Sequence, residues 1–126
     1  MNRVPVKIEF ISKASPAILY KFLTTPSCLV RWFCDSVDIM EDEYTFSWDG
    51  SDEVAHLVED QEDERLKFKW EDADSDEEYL EFVMYKSPIT GETVLEITDY
   101  ADEGEEQETR DLWETQFETL KREAGA

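Results

Sequence analysis

The chain has one histidine, His56, and two cysteines, Cys28 and Cys34, so few groups could do nucleophilic or metal chemistry. A Ser-His-Asp or Cys-His system would need that single imidazole beside its nucleophile. Serines and both cysteines are present, but no motif such as G-x-S-x-G frames them. Cys28 and Cys34 stand six residues apart, which is neither a CxxC redox pair nor a zinc knuckle. One histidine with two isolated cysteines does not build a zinc site. In a reducing compartment the two cysteines read as buried or half-buried thiols. His56 falls in a strand-like segment, where the plain reading is a half-exposed or hydrogen-bonded side chain. Turned inward, it would be a polar group that orients a ligand.

Carboxylates are the abundant groups, with 33 acids against 12 bases and a formal net charge of −21. Such a surface repels nucleic acids and anionic bilayers, and both are excluded as partners. The run Asp72-Ala73-Asp74-Ser75-Asp76 invites a calcium reading. A calcium loop of the EF-hand kind needs Gly at position six and Glu at position twelve, where this chain has Glu77 and Val83. No metal is assigned. The clusters 41–43, 59–64 and 102–106 fall at turns or at the start of the last helix, where carboxylates are solvated or favoured by the helix dipole. Few acids share the phase of the apolar positions, so the interior is expected to be nearly uncharged.

Those apolar positions define the elements. Val4, Val6, Ile8 and Phe10 alternate with polar residues as in a half-buried strand. Ser15-Pro16 is a cap followed by Pro at the first helical position, and Ile18, Leu19, Phe22 and Leu23 continue with helical spacing. A second short helix is expected from about Pro26 to Phe33, carrying Trp32. The rhythm then becomes period two, through Val37 and Ile39 and then Tyr44, Phe46 and Trp48. Asp49-Gly50-Ser51-Asp52 is read as a turn. The strand from Val54 to Glu59 has an ambiguous phase. Leu66, Phe68 and Trp70 alternate cleanly, as do Leu80, Phe82 and Met84, and Leu95 and Ile97 share a face of the last strand after a hairpin at 88–92. Leu112, Trp113, Gln116, Phe117 and Leu120 form one stripe of a long helix from about Glu105 to Glu123. The expected class is α+β, within one domain of residues 1–126. Its order is a strand, two short helices, about six antiparallel strands in a curved sheet, and a long helix packed across that sheet. No apolar run approaches the ~20 residues of a transmembrane helix, and Met1 to Lys7 lacks a signal-peptide core, so the expected compartment is the cytoplasm.

This order, with Thr25-Pro26-Ser27…Leu29…Trp32-Phe33, Phe46…Trp48-Asp49-Gly50, the run Glu64 to Trp70, Leu95 to Tyr100 and the closing stretch Leu112 to Arg122, resembles the helix-grip fold of the START / Bet v 1-like superfamily. More narrowly it is similar to the START-like domains grouped near the activator of heat-shock-protein-90 ATPase. The resemblance spans the whole chain. It implies a hydrophobic cavity under the long helix and a small-ligand binder, and it specifies no activity. Read as a single domain, the chain is expected to lack the N-terminal partner domain that the eukaryotic activator carries.

The expected role is therefore a noncatalytic binding protein, without cofactor, for a small apolar or amphipathic molecule. The alternative is a protein-interaction or co-chaperone-like module that uses the acidic face. An enzyme would need inward acids or bases, for which Tyr44, Tyr85 and Asp99 qualify by strand position. The candidate cavity residues are Trp32, Phe46, Trp48, His56, Phe68, Trp70, Phe82, Met84, Trp113 and Phe117. Two readings of the aromatics stay open, since they either fill the interior or line a pocket with Met84 as adaptable filler.

Overall fold

The computed structural model describes residues 2–73 and 75–125. Strand β1 (Arg3–Ser12) turns Val6 and Ile8 inward, where they are 1% and 8% exposed. Helix α1 (Pro16–Thr24) starts as its sequence dictates. The Ser15 side chain accepts the Ile18 N–H at 3.2 Å, and Pro16 occupies the first turn. Leu19, Phe22 and Leu23 are buried, but Ile18 faces solvent. Helix α2 (Pro26–Leu29) is a single turn and does not run to Phe33 as expected. Beyond it, the N–H groups of Phe33 and Cys34 both converge on the Leu29 carbonyl. The irregular turn buries Trp32 and Phe33 side by side, and the Trp32 indole donates to the Phe22 carbonyl at 2.9 Å.

The strands β2 (Ser36–Met40), β3 (Glu43–Trp48), β4 (Ser51–Gln61), β5 (Arg65–Trp70), β6 (Leu80–Lys86) and β7 (Thr93–Asp102) follow in order. The curved sheet runs β1-β7-β6-β5-β4-β3-β2, antiparallel throughout, so it has seven strands, not six. The first strand of the chain completes it by pairing with the last. Pro5 lies on this edge strand, where a missing N–H is tolerated.

The turn between β3 and β4 is tighter than expected. Asp49 and Gly50 alone form it, with φ of 49° and 82°, while Ser51 and Asp52 already pair in the sheet. Two positive φ values in a two-residue loop match the twist of the flanking strands. The ambiguous phase of β4 has a physical cause. The register shifts between Leu57 and Glu59, leaving Val58 as an extra, exposed residue. Such a bulge flips the alternation. Ala55 faces the core before it, and afterwards Asp60 faces α1, accepting the Tyr20 hydroxyl at 2.6 Å.

Helix α3 (Glu106–Ala124) buries Trp113, Phe117 and Leu120, and Phe117 stacks on Phe10 at 4.3 Å. It packs on β1 and β7. It does not cover the sheet alone, because α1 lies against β6 and α2 against β2. Each fully buried large apolar side chain contributes roughly 1.5–3 kcal/mol.

The charges sit mainly outside, and some face like charges. Glu9 is directly opposite Glu96 across β1 and β7. With a net charge of −21, self-repulsion opposes the compact state. Raising NaCl from about 0.01 M to about 0.5 M shortens the screening length several-fold. We expect Tm to rise by roughly 5 °C or more, the equivalent of ~1 kcal/mol. Differential scanning fluorimetry checks this, and an unchanged or lower Tm contradicts it.

Candidate functional site

Strands β3 and β5 both end in tryptophan, at the end of the sheet that α3 does not press against. Trp48 and Trp70 lie there with ring centroids 6.5 Å apart. The Trp48 indole donates to the Phe33 carbonyl at 2.7 Å, which ties the sheet to the turn after α2. Ala55 of β4 pairs with Trp70 and is fully buried, so a small residue makes room among the large rings. Trp113 of α3 faces Phe33 at 6.0 Å and meets the edge of Phe82 at 5.8 Å. Between these walls lies a cleft of about 580 Å³, lined by Trp48, Trp70, Trp113 and Phe33 and flanked by the exposed Leu112.

Its polar lining comes from other elements. Asp99 follows Leu95 and Ile97 on the inner face of β7. It accepts the Trp113 indole N–H at 2.9 Å and the Tyr100 backbone N–H at 2.8 Å. Burial pushes its carboxyl up from the ordinary range, while those two hydrogen bonds and the Arg3 charge pull part of that back. Glu78, from the connection between β5 and β6, is 6% exposed. Its Oε1 takes the Arg3 guanidinium at 3.0 Å, and its buried Oε2 has no hydrogen-bond partner among the described residues. Arg3 also bonds Asp102 at 3.2 Å. Glu53 and Asp72 line the cleft too, and both are exposed. The expectation of a nearly uncharged interior is therefore corrected. Among the described residues, four carboxylates and one guanidinium line this cleft. Strand parity already marked Asp99 as an inward candidate, whereas nothing in the local sequence marks Glu78 or Arg3.

The ten candidate residues are scattered. Trp48, Trp70 and Trp113 line the cleft. Phe46, Phe68 and Phe82 border a separate void of only about 10 Å³. Trp32, Met84 and Phe117 pack into the core at 5%, 2% and 6% exposure. His56 lies outside, opposite Glu43 and Lys69 on the outer face, with its Nε2 3.4 Å from Glu71. Tyr44 is buried and Tyr85 exposed, and neither lines the cleft. Both cysteines are free and buried, and burial pushes the Cys34 thiol up to about 11. Asp74 of the acidic loop lies outside the described residues. Among those described, no group of three or more His, Cys, Asp or Glu converges on a common metal position.

Comparisons agree with this architecture. No curated protein matches the chain. Among solved structures, a Bacteroides fragilis protein determined in solution is 31% identical, over 97% of this chain and 91% of that one, with a TM-score of 0.69. The Aha1 dimer from Colwellia psychrerythraea superposes with a TM-score of 0.76 at 17% identity, covering 94% of this chain and 93% of that one. An AHSA1-like protein from Aeromonas hydrophila gives 0.75 at 16% identity, over 97% and 92%. At that identity these two show a shared fold, and they are of the activator-like kind that the motifs suggested. The profile of the START-like superfamily domain matches residues 1–126, and the chain belongs to that superfamily.

Proposed function

We propose that the chain is a noncatalytic binding protein that holds a small apolar or amphipathic molecule in the cleft between sheet and α3. The observation that carries this is the cleft itself, about 580 Å³ with three tryptophans in its walls. That volume lies within the ordinary range of ligand pockets, and Phe33, Trp48, Trp70, Tyr100 and Trp113 supply the aromatic part of a lining that is otherwise largely polar. START-like domains are a ligand-binding type, which agrees with this use of the fold. The noncatalytic part rests on the chemistry available. The imidazole is on the outer face, and the Cys34 thiol stays protonated at neutral pH.

The test is native mass spectrometry of protein taken from cells, followed by titration of the stripped protein with the recovered molecule. Binding is expected to change tryptophan fluorescence. Trp70→Ala removes one wall and is expected to weaken binding about tenfold or more, since a buried aromatic contact of this kind is worth over ~1 kcal/mol. Protein that is consistently ligand-free, together with an unchanged affinity in the Trp70→Ala variant for amphipathic probes, would sink the reading.

A further inference from the structure

The cleft combines two features that recognise the same chemistry. Its walls include the indoles of the half-buried Trp48 and Trp70 together with the buried Trp113, and tryptophan is the best ring partner for a cation. Its rim and floor carry Glu53, Asp72, Glu78 and Asp99 against Arg3. An acidic cluster on a −21 protein would mean little alone. Here, however, Glu78 is more than nine-tenths buried in the cleft wall, and its Oε2 has no hydrogen-bond partner among the described residues. Arg3 answers the other oxygen, Oε1, and is shared with Asp102 and the Tyr100 carbonyl. A buried carboxylate oxygen left without a donor favours any positive charge brought near it.

We infer that the ligand of this cleft is a cationic amphiphile, an amine or quaternary ammonium carried on an apolar body. The inference rests on the cleft being a binding site. The apolar body packs among the tryptophans, and the charged head lies between the Trp48 and Trp70 indoles and the exposed carboxylates of Glu53 and Asp72, within the field of the buried Glu78. A quaternary ammonium suits such a place because it needs no hydrogen-bond acceptors, only ring faces and negative potential. An anionic head would meet the carboxylates, and the Arg3 guanidinium that could attract it is already paired with Glu78 and Asp102, so it is rejected.

Three probes of equal chain length separate the ideas: octyltrimethylammonium, octyl glucoside and octyl sulfate, each below its micelle concentration, titrated by calorimetry. The expected order is the cation tightest, by about tenfold or more over the glucoside, with the sulfate weakest. Glu78→Gln is expected to bring the cation close to the glucoside without changing the latter. Should that variant not fold, Glu53→Gln at the exposed rim decides, with an expected loss of about threefold for the cation alone. Glu9→Gln, on the outer face of β1, makes the same change in net charge and is expected to leave all three affinities unchanged. Equal binding of the three heads overturns the cation inference but leaves the binding cleft intact. So does a cation affinity indifferent to both Glu78→Gln and Glu53→Gln, or one lowered as much by Glu9→Gln. Binding of none of the three overturns the cleft reading and this inference together.

Discussion

Trp113→Ala is expected to cost about 3–5 kcal/mol of stability, the range for emptying a buried aromatic site. Trp113 is 4% exposed, packs between Phe33 and Phe82, and is the anchor that holds the middle of α3 against the sheet. Its removal also takes away the 2.9 Å hydrogen bond to Asp99 and leaves that carboxylate short of a donor. For a domain of this length the loss corresponds to a fall in Tm of roughly 10–20 °C. Trp113→Phe separates the two contributions. It keeps one aromatic ring in place but loses the indole N–H and the second ring, so it should cost about 1–3 kcal/mol. Urea unfolding of both variants checks this. Equal costs for the two would mean that the hydrogen bond, not the ring, dominates.

Arg3→Met is expected to cost about 2–4 kcal/mol, although Arg3 is near the chain start and partly exposed. The reason lies in its partner. Glu78 is buried, and removing the guanidinium leaves its charge uncompensated. The bonds of Arg3 to Asp102 and to the Tyr100 carbonyl are closer to water and contribute less. If the loss comes from stranding Glu78, then Glu78→Met added to Arg3→Met should restore at least half of it, because the stranded Glu78 charge is then gone. Urea midpoints at constant m measure the effect. A double variant less stable than Arg3→Met alone would show that Glu78 is held by something other than the arginine.

Much of this fold was legible because alternation is a local property. Phe46, Phe68 and Phe82 declare their face within a few residues, and Ser15-Pro16 declares a helix start. Places where geometry departs from alternation were harder to read. The bulge at Val58 reverses the phase of β4, and a single-sequence pattern shows that only as ambiguity. The candidate site was legible in part. Parity places Trp48 beside Phe46, and Trp70 beside Phe68, on the same inner face. It cannot tell which of them meets the small void and which the cleft. That depends on where α3 crosses, since the two tryptophans are the last residues of their strands and lie beyond its cover. Glu78 is further out of reach. It comes from the connection after β5, and its burial depends on Arg3 from the far end of the chain.

The sheet does not close into a barrel, so β1 and β2 each present an unsatisfied edge that another copy could extend. The chain counters this with Pro5 on one edge, a five-residue strand with Asp38 on the other, and the mutual repulsion of highly anionic molecules. Ionic strength therefore acts on the molecule in two opposed ways. Screening that steadies a single copy also removes the force that keeps two copies apart, so the salt best for folding differs from the salt best for solubility.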